Sequence, residues 1–459
     1  MTIQPVSPDP SISEDLLAAG RKAYDLDREH VFHSWSAQRT ITPMTVVQTE
    51  GPYVWDGKGH RLIDFSCQLI NTNIGHSHPK VVAAIQEQAA GIATINPAHV
   101  NAARSEAARL VADLAPGDLN HVFFTNAGAD AVEHAVRMAR VHTGRPKVLS
   151  AYRAYHGGTD LAFALTADPR RNPVDKATAG VAHFMPAYPY RSYFHSTTEQ
   201  EESERALAHL EQTILLEGPQ SIAAVILESV PGTAGIYVPP AGYLQGVREL
   251  TRKYGILFIA DEVMVGFGRT GQWFAVNHWG VEPDLLTFAK GVNSGYVPLG
   301  GVALSDAVYE TFAETPYPGG LTYSGHPLAC AAAVATLNAM QDEGMVANAA
   351  RLGAEIIGPR LQEIFEAHPS VGDVRGLGAF WAVELVKNRE TKEPMAAYGG
   401  SSPEMNELVA ECKKLGLLPF QNMNRIHVAP PLNAPDEVVR HGLDILDQAL
   451  AVTDRYVTG

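Results

Sequence analysis

The sequence contains little cysteine, with only Cys67, Cys330 and Cys412 among 459 residues. No two of them stand at a spacing typical of a zinc site or a redox pair, which argues against the disulfide-scaffold and metal-cysteine classes of protein. We interpret all three as packing residues. So few cysteines in a long chain are typical of a reducing compartment, and we expect the protein to be cytoplasmic.

The chain also lacks runs of Lys and Arg and long apolar stretches. Its 35 basic residues stand against 50 acidic ones, and the formal net charge of −15 argues against nucleic acid as a partner. No apolar stretch reaches the roughly 18 residues that a membrane-spanning helix requires. The first residues, MTIQPVSPDPSISEDLL, have no apolar core of a signal peptide. We therefore expect neither a membrane segment nor a nucleic-acid interface.

Metal ligands are not grouped in the sequence either. His76 and His78 form an H-x-H pattern in NIGHSHP, but no carboxylate or cysteine completes a ligand set at a recognisable spacing. We expect no metal site.

What the sequence does have is the composition of a folded protein with a sizeable core, 46% hydrophobic and 19% charged. From Pro79 onward, amphipathic stretches such as KVVAAIQEQAA alternate with short β-rich runs such as HVFFT, KVLSA, AAVILES, ILFIADEV and DLLTFAK. This alternation predicts parallel βαβ units, and hence an α/β fold whose sheet is covered on both faces.

The pattern changes after the Ala-rich segment TYSGHPLACAAAVATLNAM. Shorter helices and strands follow, which predicts a smaller α+β domain over residues 331–459. The alternation around the Asp-Gly-Lys-Gly turn in TEGPYVWDGKGHRLIDF predicts a hairpin, and we assign residues 1–60 to the same small domain. Residues 61–330 then form the large domain.

In an α/β sheet, ligands bind beyond the carboxyl ends of the strands. The turn after HVFFT contains Ala127, Gly128 and Ala129, whose free N–H groups at the positive end of a helix dipole would stabilise an anion such as phosphate. Every strand-to-helix junction has such a turn, so plain packing is the alternative. Tyr155 in AYHGG would lie flat on a planar ligand or, alternatively, pack in the core.

Two charged residues end apolar strands. Asp261 needs a cationic or donor partner if it is buried, or else it caps the following turn. Lys290 would be desolvated, which lowers its pKa and makes the neutral amine a nucleophile toward carbonyls, or else it reaches solvent. A phosphate cradle, a stacking ring, a buried carboxylate and a nucleophilic lysine are together the set that pyridoxal 5′-phosphate requires.

The segment FIADEVMVGFGRTG, followed by PDLLTFAKGVNSGYVPLGG, is very similar to the class III aminotransferases among the fold type I pyridoxal phosphate enzymes. The likeness extends over nearly the whole chain, through YVWDGKGHRLIDF, TNAGADAVEHAVRMAR, ILESVPG, LTYSGHP and DVRGLGAFWAVEL. It implies a large cofactor-binding domain with a mostly parallel central sheet and a smaller α+β domain formed by both chain ends.

The resemblance also implies roles for individual residues. Lys290 would form the Schiff base with the cofactor, and Asp261 would pair with the pyridine nitrogen. Tyr155 would stack on the ring and Val263 would pack on its other face. Glu228 would lie on the side of the ring hydroxyl.

Thr322 in LTYSGHP would reach the phosphate bound by the neighbouring subunit, so the resemblance implies a homodimer with shared active sites. The phosphate turn departs from the family pattern, because Ala127, Gly128 and Ala129 replace the usual hydroxyl-bearing residues. Backbone N–H groups and Thr322 would therefore carry more of the phosphate binding.

The substrate pocket is the second departure from the family pattern. The resemblance places Leu69, Ile70 and Asn71 in the pocket wall, but Phe420 stands where related enzymes have an arginine that binds the substrate carboxylate. We expect Arg425 or a neighbouring residue to take over that recognition, while Phe420 makes the pocket more apolar. The alternative is that Arg425 is a surface residue paired with a carboxylate.

The resemblance implies an aminotransferase that moves an amino group from a primary amine or ω-amino acid to a 2-oxo acid such as pyruvate or 2-oxoglutarate, in a ping-pong reaction. The segment DREHVFHSWSAQ is similar to the branch that uses taurine and β-alanine type donors. One alternative is another reaction on the same cofactor, by an aminomutase, decarboxylase or racemase. The other is a non-catalytic binding protein on the same scaffold.

Overall fold

The amino-terminal part of the chain forms the predicted hairpin. The computed structural model describes residues 2–174 and 180–458. Residues 1, 175–179 and 459 of the predicted domains lie outside the described residues. Tyr53 pairs with Ile63 across the Asp-Gly-Lys-Gly turn. The elements of this part are α1 (Glu14–His30), β1 (Val46–Glu50), β2 (Tyr53–Asp56), β3 (Arg61–Asp64), α2 (Cys67–Ile70), α3 (Pro79–Ala90) and α4 (Ala102–Leu114).

Seven strands form the central sheet, and the strand Ile222–Glu228 is buried at all seven positions, as expected for a sheet covered on both faces. The strands are β4 (His121–Thr125), β5 (Lys147–Ala151), β6 (Val181–Phe184), β7 (Ile222–Glu228), β8 (Leu257–Asp261), β9 (Leu285–Phe288) and β10 (Gly300–Leu304). Their order is β4-β10-β9-β8-β7-β5-β6, and all neighbours are parallel except those of β10. The fold is therefore the predicted α/β class with a mostly parallel central sheet.

Helices cover both faces of this sheet. Along β7, Val225 packs into one hydrophobic cluster, whereas its neighbours Ala224 and Ile226 pack into another. The helices that follow the first strand of the sheet are α5 (Gly128–Thr143), α6 (Asp160–Leu165), α7 (Glu199–Glu217), α8 (Gly232–Gly235), α9 (Tyr243–Tyr254), α10 (Asp306–Glu310) and α11 (Pro327–Asp342). Short 3₁₀ helices span Pro169–Arg171, Pro189–Arg191, Pro219–Ser221, Ala275–Trp279 and Lys290–Val292.

The carboxyl-terminal part has an antiparallel sheet and its own hydrophobic cluster. Its elements are α12 (Met345–Arg351), the π-helix Leu352–Ile357, α13 (Gly358–Ala367), β11 (Val371–Leu377), β12 (Phe380–Asn388), β13 (Glu393–Pro394), α14 (Pro403–Leu415), β14 (Leu417–Leu418), β15 (Phe420–Asn422), β16 (Arg425–Val428) and α15 (Asp436–Asp454). The strand order is β11-β12-β16-β15, with β13 beside β12. Leu417 of β14 pairs with Ile63 of β3, so the two ends of the chain meet.

The central sheet positions charged side chains at one edge. Glu228 and Asp261, the last residues of β7 and β8, are register partners, and Lys290 follows β9 on the next strand along the sheet. Carboxyl ends of parallel strands form the ligand-binding edge of an α/β sheet. In the described part of the chain, no helix combines the length and the apolar character needed to cross a membrane.

Candidate active site

A cavity of about 560 Å³ lies where the strands of the central sheet end. It is bounded by the ends of β7 and β8, by the start of α5 and by β15 of the carboxyl-terminal sheet. The predicted residues in its wall are Leu69, Asn71, Ala127, Gly128, Ala129, Tyr155, Glu228, Asp261, Val263, Lys290 and Phe420. The structure therefore gathers most of the predicted site residues around one space.

Asp261 is 3% exposed. One of its carboxylate oxygens accepts hydrogen bonds of 3.1 Å from the Thr287 hydroxyl and from the Val263 backbone N–H. The other oxygen lies 2.6 Å from Nδ1 of His156. The bond from Val263 is the turn cap that the sequence left open as an alternative, so Asp261 both caps the turn and lines the cavity.

His156 is a site residue whose role the sequence did not reveal. Its Nδ1 contact helps to hold the Asp261 carboxylate in one orientation. Its Nε2 is buried and has no hydrogen-bond partner among the described residues. The signal was present in AYHGG, where a histidine follows Tyr155 close to the end of a strand.

Glu228 stands beside Asp261 and is 6% exposed. Its carboxylate oxygens accept backbone N–H bonds of 3.0 Å from Tyr155 and Gly232. Burial, reinforced by the neighbouring Asp261 charge, raises the pKa of Glu228 to about 6. The two carboxylates give this side of the cavity an acidic character that suits a cationic group.

Lys290 begins a short 3₁₀ helix and has a left-handed φ of +44°. This conformation costs a non-glycine residue about 1–3 kcal/mol, and such residues concentrate at functional sites. Burial lowers the pKa of Lys290 to about 8, although the charges of Glu228 and Asp261 act in the opposite direction. The lowered pKa favours the neutral amine, which is the form that attacks carbonyls.

The amino terminus of α5 opens on the cavity. Ala127 is the N-cap of α5, and its side chain accepts no hydrogen bond from the first N–H groups of the helix. A Cβ on Gly128 would lie 2.7 Å from Cγ1 of Val263, so glycine permits this close approach. The free N–H groups and the helix dipole together suit a phosphate group.

Arg170 is a cavity residue that the sequence did not single out. It lines the cavity with Cζ 4.0 Å from the ring centroid of Tyr155. Asp168 accepts a hydrogen bond of 2.8 Å from its Nε. The segment ADPRRNP has no periodic pattern, so no sequence signal distinguished Arg170 from Arg171.

The backbone of α2 departs from helical geometry at Gln68 and Leu69. Cys67, Gln68 and Ile70 all have positive φ, and the Gln68 amide is held by Asp64 at 2.8 Å. Ile70 is fully buried in the core and does not line the cavity, which corrects the expectation from the sequence. Its φ of +58° turns the side chain inward, whereas Leu69 remains 49% exposed at the cavity wall.

Two further predicted residues lie away from this cavity. Thr322 is exposed and outside the cavity of its own chain. Arg425 is 1% exposed and lines a second cavity, so it is neither in the active-site wall nor on the surface. The reason is the β15–β16 hairpin, where Arg425 pairs with Asn422 while Phe420 pairs with His427.

The residues present fit pyridoxal 5′-phosphate. The start of α5 offers N–H donors for a phosphate, Asp261 offers a buried carboxylate for a protonated ring nitrogen, and Lys290 offers an amine for an aldehyde. A Cβ on Gly157 would lie 2.5 Å from Cβ of Ala129, so glycine keeps the cradle open.

The described residues contain no group of three or more His, Cys, Asp or Glu side chains that could hold a metal ion. His76 lies 3.1 Å from a carboxylate oxygen of Asp64, and His78 lies 3.4 Å from one of Glu343. The two histidines of the H-x-H pattern thus contact separate carboxylates.

A lysine amine, paired carboxylates and an anion-binding helix terminus at the end of a mostly parallel sheet define a pyridoxal phosphate-dependent class of enzyme. Residues 35–450 match the family model described as aminotransferase class-III. The chain belongs to the class III aminotransferases. It is a pyridoxal phosphate-dependent enzyme that transfers an amino group to a 2-oxo acid.

Relatives match the chain over nearly its whole length. The putrescine–pyruvate aminotransferase of Pseudomonas aeruginosa is 34% identical over 88% of this chain and 91% of its own. The taurine–pyruvate aminotransferase of Rhodobacter capsulatus is 33% identical over 92% and 95%. The crystal structure of taurine:2-oxoglutarate aminotransferase from Bifidobacterium kashiwanohense, with PLP and glutamate, has a TM-score of 0.92 and 40% identity, covering 96% of this chain and 99% of that chain.

Proposed function

We propose that the chain moves the amino group of a small ω-amino acid or primary amine, of the taurine or β-alanine type, to pyruvate or 2-oxoglutarate in a ping-pong reaction. Relatives named for taurine and putrescine support the donor class, and the same names support the two acceptors. The observation that carries the proposal is the Lys290 amine of lowered pKa, in one cavity with Glu228 and Asp261.

When bound, pyridoxal phosphate supplies an aldehyde that accepts the amino group and a ring that stabilises negative charge on the adjacent carbon. Lys290 Nζ would accept the proton from that carbon of the donor, because a pKa of about 8 leaves the amine able to act as a base near neutral pH. Asp261 would keep the ring nitrogen protonated. Thr287 and His156 support that role, because they hold the Asp261 carboxylate in place.

The remaining wall residues would bind and orient the cofactor. The N–H groups of residues 127–129 would hold the phosphate. Tyr155 and Val263 would pack on the two ring faces, and Glu228 would lie on the side of the ring hydroxyl. The positions of these residues in the cavity wall support the assignment.

We assign the substrate carboxylate or sulfonate to Arg170. Among the described wall residues, it is the one guanidinium group. Asp168 engages Nε and Nη2, which leaves Nη1 for an anionic substrate. Leu69 and Phe420 add apolar surface to the same cavity, which suits a short hydrocarbon chain between the amino and acidic groups.

A panel of amines tested with pyruvate and with 2-oxoglutarate examines the reaction itself. We expect alanine or glutamate to form in proportion to the donor consumed, with taurine and β-alanine among the good donors. Donor consumption that releases carbon dioxide, or that yields an isomer or enantiomer of the donor without any new amino acid, would favour the alternative reactions instead.

We also propose that the enzyme acts as a homodimer in which Thr322 of each subunit completes the phosphate site of the other. Thr322 is exposed and lies outside its own cavity, which supports a role across an interface. Ala127 and Ala129 offer no hydroxyl group, so a further donor is needed. We place the enzyme in the cytoplasm, which the three buried, unpaired cysteines support.

Hybrid dimers test the shared site. Lys290→Ala and Thr322→Val should each be poorly active alone, whereas mixing them should restore activity, because a hybrid has one site with both residues intact. Activity is measured after dissociation and reassociation, and Lys290→Ala mixed with itself is the control. Hybrids that form but stay inactive would contradict the shared site.

A further inference from the structure

A second cavity of about 630 Å³ lies beside the active site. We call it the arginine cavity, because its wall contains Arg153, Arg171, Arg191 and Arg425. Tyr398 is 52% exposed and also belongs to the wall, so the cavity is open to solvent. The proposed transamination uses none of these residues.

Arg425 is a buried cation that forms no hydrogen bond or ion pair with a carboxylate among the described residues. Only 1% of its surface is exposed, and its Nε and Nη2 have no hydrogen-bond partner among the described residues. Gly235 makes room for it, since a Cβ there would lie 2.7 Å from Cδ of Arg425. Burial lowers the pKa of Arg425, and the like charge of Arg153 acts in the same direction, whereas Tyr237 and Glu384 act in the opposite direction. A buried guanidinium that is not bonded to a carboxylate is unfavourable, so this position favours an anion.

The carboxylates around the cavity are already engaged by other arginines. Glu384 accepts hydrogen bonds from Nε of Arg191 at 2.7 Å and from Nη2 of Arg375 at 2.8 Å. Arg375 also pairs with Asp373 at 2.5 Å. Each of these two carboxylates bonds to the arginines named here, and among the described residues neither forms an ion pair with Arg153 or Arg425.

Arg153 is the second cation without a carboxylate. It donates a hydrogen bond of 3.1 Å to the Tyr193 hydroxyl, while its buried Nε has no partner among the described residues. Its Cζ lies 4.6 Å from the ring centroid of Tyr398, an attraction that stabilises the cation without neutralising it. Asp168, the other carboxylate of the wall, is held by Arg170 at 2.8 Å.

We propose that the arginine cavity binds a small dianion with carboxylate or phosphate oxygens, held by Arg153 and Arg425. Two guanidinium groups match such a ligand, because each presents a fork of donors to a pair of oxygens. The ligand would contact the segment that carries Asp168 and Arg170, since that segment contributes to both cavities. The site is separate from the place assigned to the transamination substrate.

Calorimetric titration of the holoenzyme with inorganic phosphate, and separately with succinate, tests the site at constant ionic strength. We expect saturable binding of at least one probe, with one ion per chain, and the probe that binds identifies phosphate or carboxylate chemistry. Arg425→Met and Arg153→Gln should each weaken that binding at least tenfold. Arg205→Gln, which removes an exposed arginine paired with Glu201, is the matched control and should keep it.

Thermal unfolding gives a second readout. In anion-free buffer, Arg425→Met should raise Tm above that of the wild type, because it removes an uncompensated buried charge, whereas loss of a merely structural arginine would lower Tm. If Arg425→Met does not fold, the partly exposed Arg153 carries the test through Arg153→Gln. The proposal is overturned if neither probe binds the wild type, or if folded variants bind as tightly as the wild type. It is also overturned if the only binding observed is lost in Arg170→Gln and kept in Arg425→Met, since that binding belongs to the active site.

Discussion

The active-site cavity and the arginine cavity are similar in size, about 560 and 630 Å³, but their charged wall residues differ. The first has two carboxylates, a lysine and an arginine, whereas the second has four arginines and two carboxylates. In the first, Glu228 and Asp261 accompany one lysine, Lys290, whose pKa burial lowers to about 8. In the second, Arg153 and Arg425 form no ion pair with a carboxylate among the residues that the structure describes. A buried charge needs a partner, and where the chain does not supply it, a ligand can. The sign of the uncompensated charge therefore says more than volume about what each cavity binds.

The largest expected effect separates the two cavities. Lys290→Ala removes the amine that we propose as acceptor of the donor proton, so we expect kcat to fall on the order of 10³-fold or more, while binding of phosphate or succinate in the arginine cavity is retained. Initial rates and calorimetry measure the two properties, and borohydride should no longer attach the cofactor to the chain. Lys253→Ala, at an exposed lysine of α9 paired with Glu211, is the control. Near-normal turnover of Lys290→Ala would remove Lys290 from the mechanism.

A smaller effect is expected when Arg170, the proposed partner of the substrate carboxylate, is replaced. Arg170→Gln should lower the specificity constant of the half-reaction with the 2-oxo acid about 30-fold, or about 2 kcal/mol, with a much smaller loss for simple amines. Single-turnover absorbance changes follow each half-reaction separately. Arg425→Met should cost the oxo-acid half-reaction less than Arg170→Gln. A larger loss in Arg425→Met than in Arg170→Gln would instead assign substrate recognition to Arg425, as the sequence predicted.

The smallest effect, about tenfold for a change of one pH unit, concerns the pH dependence of cofactor attachment. Covalent attachment of pyridoxal phosphate to the apoenzyme requires the neutral Lys290 amine, because the protonated form has no lone pair. The rate constant should therefore rise about tenfold per pH unit below pH 8 and level off above it, since burial lowers the pKa of Lys290 to about 8. An ordinary lysine would level off near its pKa of about 10.4. Stopped-flow absorbance measures the rate, and a plateau only above pH 10 would show that the amine is not desolvated.

The fold class and the strand-end residues could be predicted from the sequence, because buried parallel strands are apolar runs that end in functional side chains. Glu228 and Asp261 end β7 and β8, and Lys290 follows β9, while their roles toward the cofactor stay predictions. The contribution of Arg170 could not be predicted, because it comes from a segment without periodicity. The division of the chain at residues 60 and 330 stays a prediction.

Arg425 shows a second limit of the sequence. Its place depends on the space that Gly235 leaves in a segment nearly 200 positions earlier in the chain, and no local pattern records such a contact. Ile70 shows the same limit at short range. Side-chain direction within α2 depends on positive φ values, which residue types other than glycine rarely signal.

The α2 segment holds one wall of the active site in a fixed backbone conformation. Its positive-φ residues each carry about 1–3 kcal/mol of strain, which persists only where the surroundings hold the backbone. Asp64 holds it through Gln68, and Ile70 anchors it in the core. We therefore expect the Leu69 side chain, which lines the cavity, to limit donor size on this side. A substitution at this position would then change donor preference while the backbone stays unchanged.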